Sequence, residues 1–185
     1  MKRLVALLAV AVVALAAAPG AQAVPIGTVG FTGIAVPTPA ATTWAAAEGV
    51  DFGAATVDET GGTGVLASLV FLDPVAYTDF LFLPSLTPSP VNPLWSAGGF
   101  SFILETVTLQ FRNARALVLS GTGYITGPGI AGGSARAIWD FSANQTAGAF
   151  NFSSTTAVLP EPATLALLGL GLFGSAGLSR RLRRR

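Results

Sequence analysis

The chain has 185 residues, a length suited to one domain, and contains neither His nor Cys. Those two absences exclude a Ser-His-Asp triad, a Cys nucleophile, a zinc site of the usual ligands, haem attachment and any disulfide framework. The formal net charge of +1 conceals an uneven layout: Lys2, Arg3 and five arginines lie at the two ends, while residues 24–158 hold only Arg112, Arg115 and Arg136 against eight carboxylates and carry −5. An acidic body with scattered arginines is not the contiguous basic surface that nucleic acid requires, so no nucleic-acid partner is expected.

Residues 1–23 read as a signal peptide. Lys2 and Arg3 precede an apolar run over residues 4–18, Pro19-Gly20 breaks it, and Ala21-Gln22-Ala23 follows. Small side chains at Ala21 and Ala23 fit the shallow pockets of a signal peptidase, so cleavage after Ala23 is expected. As a helix the 15-residue run covers about 22 Å, short of the roughly 30 Å hydrocarbon core, which disfavours an uncleaved anchor.

Residues 24–158 hold 16 of the 17 aromatics, so the hydrophobic core is expected there. Glycines and prolines punctuate short apolar runs throughout this body, the pattern of an all-β domain. One short helical candidate opens at Thr42 or Thr43 and ends at Glu48. The acidic stretch Asp51, Asp58 and Glu59, before a glycine-rich loop, supplies oxygen ligands of the kind Ca²⁺ accepts, but its spacing matches no EF-hand or RTX repeat; a solvated acidic turn is the favoured reading, and no metal or other cofactor is assigned. The continuous apolar run over residues 65–72 fits a strand buried on both faces. Pro84, Pro88, Pro90 and Pro93 point to an extended surface segment.

In residues 98–111 the apolar set shifts phase, from Phe100, Phe102 and Leu104 to Val107, Leu109 and Phe111, which predicts a β-bulge or short turn near Glu105-Thr106. Four shorter strands follow. The last two are expected to form a hairpin around Asn144-Gln145-Thr146, with Trp139 and Phe141 opposite Phe150 and Phe152. Six to nine strands without intervening helices favour an antiparallel, jelly-roll-like β-sandwich, with a closed barrel as the alternative.

After the body, Leu159-Pro160-Glu161-Pro162 leads into an apolar run over residues 163–178, and Arg180, Arg181, Arg183, Arg184 and Arg185 close the chain. The prolines keep the tetrapeptide extended and reachable by a processing enzyme. A helix of 16 apolar residues spans about 24 Å, enough for a single transmembrane helix when arginines snorkel to the headgroups. Those arginines hold the C-terminal end in the cytoplasm and leave the body outside. Residues 159–185, from Pro160-Glu161-Pro162 through the glycine-studded apolar run to the arginine tail, closely resemble the PEP-CTERM protein-sorting signal. The resemblance implies export by a Gram-negative bacterium that makes exopolysaccharide, and processing by an exosortase.

The body itself offers little chemistry. Glu105 and Asp140 form the best carboxylate pair for a glycoside hydrolase, and Trp95, between a proline and two glycines, is the tryptophan expected nearest the surface, where it would contact a sugar ring. Neither outweighs the reading of an exported, non-enzymatic protein with no catalytic residues: a membrane-anchored intermediate that signal peptidase and exosortase process at the inner membrane, bound for the cell surface or an exopolysaccharide matrix. A carbohydrate-binding module is the first alternative and a carboxylate glycosidase the second.

Overall fold

A computed structural model describes residues 26–39, 42–146 and 149–159. The segment expected to be a signal peptide, with Ala21 and Ala23, and the tail with Pro160, Glu161, Pro162 and the five arginines lie outside the described residues, as do the helices expected in both. Among the described residues no helix is long and apolar enough to cross a membrane.

Among the described residues nine strands follow one another: β1 (Gly27–Thr38), β2 (Gly49–Gly62), β3 (Pro74–Tyr77), β4 (Phe80–Leu81), β5 (Val91–Ala97), β6 (Phe100–Arg112), β7 (Ala116–Thr126), β8 (Ala135–Thr146) and β9 (Ala149–Val158). All pairings are antiparallel. Eight of the strands close a ring in the order β1-β9-β8-β7-β6-β5-β3-β2 and back to β1, and β4 is added on β2.

The expected sandwich is therefore incorrect, and the domain is a closed β-barrel. The deciding contact is β1, which pairs with β9 on one side (Phe31 opposite Ser154) and with β2 on the other (Phe31 opposite Val57). A sandwich would leave sheet edges at this point, and closure removes them. Bulges assist the bending. The register of β6 on β7 slips between Leu104 and Thr106, where the phase change in the sequence predicts it, and again between Leu109 and Phe111.

Alternation sets the interior. Phe31, Val57, Trp95, Phe102, Leu119, Trp139, Phe141 and Phe152 are all buried, contributed by seven different strands. Phe52 stacks on Tyr77 at 4.5 Å between ring centroids and meets Phe152 edge-on at 5.3 Å; Phe141 stacks on Phe152 at 5.5 Å. An eight-stranded barrel is just wide enough to be filled in this way by side chains. Gly123 on β7 makes the close approach possible, because a Cβ there would lie 1.8 Å from the Ile103 carbonyl oxygen.

The connections divide between two rims. At one rim, residues 42–48 fold over the barrel mouth. Trp44, in a 3₁₀ turn (Trp44–Ala46) and not the longer helix considered for this stretch, is fully buried with its ring edge-on to Phe150. The Arg112 guanidinium donates to the Ala47 carbonyl and the Gln145 amide donates to the Thr42 carbonyl, fixing this cover in place. The other rim carries the chain's entry at Ile26 and its exit at Leu159.

The apolar run 65–72 also departs from expectation. It forms no strand: a 3₁₀ turn (Gly64–Leu66) leads into a connection in which Leu66 and Leu69 are buried while Val70, Phe71 and Leu72 project to solvent. The β8–β9 hairpin forms, but Asn144 and Gln145 are paired within it, opposite Asn151 and Phe150, so the turn lies beyond Thr146.

Candidate functional site

The residues proposed for chemistry on the body disperse over the barrel surface. Glu105 sits at the β6 bulge and pairs with Arg136 at 3.0 Å in an exposed ion pair, with Arg136 also stacked over the Tyr124 ring at 4.6 Å. Asp140 is exposed on β8, in register through Ser120 with Thr108 on β6. Two strand spacings and three residues then separate Glu105 from Asp140, roughly 14 Å between Cα positions on a convex face. That is no glycosidase cleft. Asp58 turns back on its own strand to accept the Thr60 N–H at 2.9 Å, and no three carboxylates converge as a metal site among the described residues.

Trp95 corrects the remaining expectation. It is fully buried, tilted against Phe31 at 4.7 Å and stacked on Phe102 at 6.2 Å, and its indole N–H donates to the Thr156 hydroxyl at 3.0 Å. Trp44 and Trp139 are equally buried. The tryptophans are core, and none offers a face to a sugar. Trp95 lies inside because β5 pairs through it with Tyr77 on β3 and with Phe102 on β6, a placement the flanking Pro93 and Gly98 do not foretell.

Sequence reasoning did not identify the polar pins of the interior. Tyr77 and Ser154 share a hydrogen bond of 2.7 Å, and Thr156 receives the Trp95 N–H, so β9 ties two aromatic side chains from across the barrel. The alternation Phe152, Ser154, Thr156 and Val158 contains the signal, since every second residue must face one side. Burial pushes the Tyr77 hydroxyl well above the ordinary phenol range, opposed by its hydrogen bond with Ser154 and by the Trp139 indole. A group so held stays neutral and structural. An open groove of about 520 Å³ between β3 and the β5–β6 turn is lined by residues such as Pro74, Val75, Ser96 and Phe100, without an ionisable side chain.

The geometry of most consequence is where the barrel ends. Val158 is the last residue of β9, and its carbonyl accepts the Ile26 N–H at 2.8 Å; Leu159 then donates its N–H to the Arg136 carbonyl at 2.8 Å. The ring is complete at that point. Pro160 is the next residue.

Residues 158–185 match the family model of the PEP-CTERM protein-sorting motif. The sorting signal thus begins on the final residue of the barrel and occupies all of the sequence after it. It implies export, a membrane-anchored stage and processing by an exosortase. The chain matches no curated protein and no solved structure.

Proposed function

We propose that this chain is an exported, non-enzymatic surface or matrix protein in which a self-contained β-barrel is delivered by its C-terminal tail. Signal peptidase removes residues 1–23 after Ala23, the apolar run 163–178 holds the chain in the inner membrane, and an exosortase recognises Pro160-Glu161-Pro162 while the arginine tail stops translocation. The barrel then passes to the cell surface, in association with exopolysaccharide. One observation carries this reading: the matched sorting motif begins at Val158, and Pro160 comes directly after the last hydrogen bonds that close the ring, at Val158 and Leu159. A cut after Leu159 leaves all eight barrel strands paired, so processing releases a folded domain without unfolding it.

Intact-mass measurement tests the proposal. Protein recovered from the outer surface of an exopolysaccharide-producing Gram-negative host should end near residue 160 when the exosortase is present and retain Arg185 when it is deleted. Retention of Arg185 in both hosts refutes sorting by this route.

A further inference from the structure

Among the described residues six large apolar side chains are exposed, and four of them, Ile26, Val70, Phe71 and Leu72, belong to the rim from which the sorting tail leaves. Val70, Phe71 and Leu72 are each more than half exposed, a contiguous apolar tip on an otherwise acidic body. Its backbone is held firmly. The Leu72 N–H donates to the Val57 carbonyl at 3.1 Å, the Val57 N–H to the Asp73 carbonyl at 2.9 Å, and the Val70 N–H to the Asp73 carboxylate at 2.9 Å. Leu72 has φ +69°, a left-handed conformation that side chains of its size rarely adopt, and such outliers persist where the surroundings impose them. The rim assignment follows from hydrogen bonds: Val65 N–H reaches the Ile26 carbonyl and Thr63 N–H the Thr28 carbonyl, next to the strand that holds Val158, and the Gly62 N–H at the end of β2 reaches the carbonyl of Leu69, the residue before the tip.

We propose that Val70, Phe71 and Leu72 form a membrane-docking tip that enters the outer leaflet of the bilayer holding the tail. This rests on the membrane-anchored stage proposed above. Only Pro160, Glu161 and Pro162 separate Leu159 from the apolar run, so the barrel's exit at Leu159 stays within about 14 Å of the point where that run begins. A lipid interface therefore lies within reach of this rim for as long as the tail is anchored. With a body charge of −5, attraction to anionic headgroups does not drive the contact. It is apolar, and on a zwitterionic bilayer it is insensitive to salt. Docking orients the barrel with its tail-bearing rim down, and restrains the Leu159–Pro160 junction near the membrane-embedded processing enzyme.

The test uses the full chain reconstituted in phosphatidylcholine vesicles containing brominated lipid. Phe71→Trp places a reporter on the tip, and Ser85→Trp places one on the opposite rim, where Phe82 and Leu83 bond to the Glu48 carbonyl. Read as the difference from the wild-type chain, whose three tryptophans are buried, the emission added by Phe71→Trp should shift to the blue and lose about half its intensity, at low and high salt alike, while that added by Ser85→Trp is unaffected. Val70→Trp, one residue earlier on the tip, serves if Phe71→Trp does not fold. Equal and negligible quenching of both rims in chains that still float with the vesicles overturns docking and leaves the anchor standing. Shielding of the tip that depends on protein concentration, without quenching, overturns it in favour of self-association. A chain that fails to float overturns the anchoring reading and this proposal together.

Discussion

Replacing Thr156 by Val removes one hydroxyl from the barrel interior and almost no volume. Thr156 is fully buried, and it accepts the indole N–H of the equally buried Trp95 at 3.0 Å. Val in its place strands that donor among Phe31 and Phe102, which offer no acceptor. Leaving a buried donor unsatisfied costs about 1–3 kcal/mol, whereas a surface change usually stays within about 0.5 kcal/mol. For a domain of this size that corresponds to a fall in Tm of about 4–12 °C. Urea unfolding of the barrel, residues 24–159, followed by tryptophan fluorescence and far-UV circular dichroism, measures it. The double substitution Trp95→Phe with Thr156→Val removes donor and acceptor together, so its cost should fall short of the sum of the two single costs by about 1–2 kcal/mol. A Thr156→Val barrel as stable as the wild type, or a double variant with strictly additive costs, refutes the role assigned to this pin.

Two further outcomes follow from the interior. Gly123→Ala should destabilise the barrel by at least about 2 kcal/mol, because its Cβ meets the Ile103 carbonyl oxygen, a backbone atom that cannot swing away. Gly132→Ala, at φ +69° with open space around it, should cost only about 1 kcal/mol in the same urea assay. Tyr77 should also make stability depend on alkaline pH. Its hydroxyl is raised by burial, so above about pH 10 the unfolded chain loses a proton that the folded chain keeps, and stability falls by up to about 1.4 kcal/mol per pH unit. Below that pH the contribution is fully present. Tyr77→Phe should abolish the slope, a result read from urea midpoints on both sides of pH 10.

Local rules were sufficient where the physics is local. The tail needed only the order of its parts, because a proline pair, an apolar run and terminal arginines act through backbone stiffness, hydropathy and charge, none of which waits on folding. The β6 bulge was legible for a similar reason: a one-residue phase shift after Leu104 must be absorbed by the backbone or bury the wrong face. The all-β character was written in glycine and proline punctuation and in alternating side chains. Partner choice was not. Alternation assigns each strand an inner face in a sandwich and in a barrel alike, and closure rests on β1 meeting both β2 and β9, the latter through partners such as Phe31 and Ser154, 123 residues apart. Trp95 entered the core, and Val70, Phe71 and Leu72 left it, because an eight-stranded ring has a fixed interior volume that the aromatics of its strands already fill. The sequence alone thus determined the kind of element and the address of this protein. Only the tertiary structure decided which apolar residues fit inside, and that the chain's entry at Ile26, its exit at Leu159 and the exposed apolar tip share one rim.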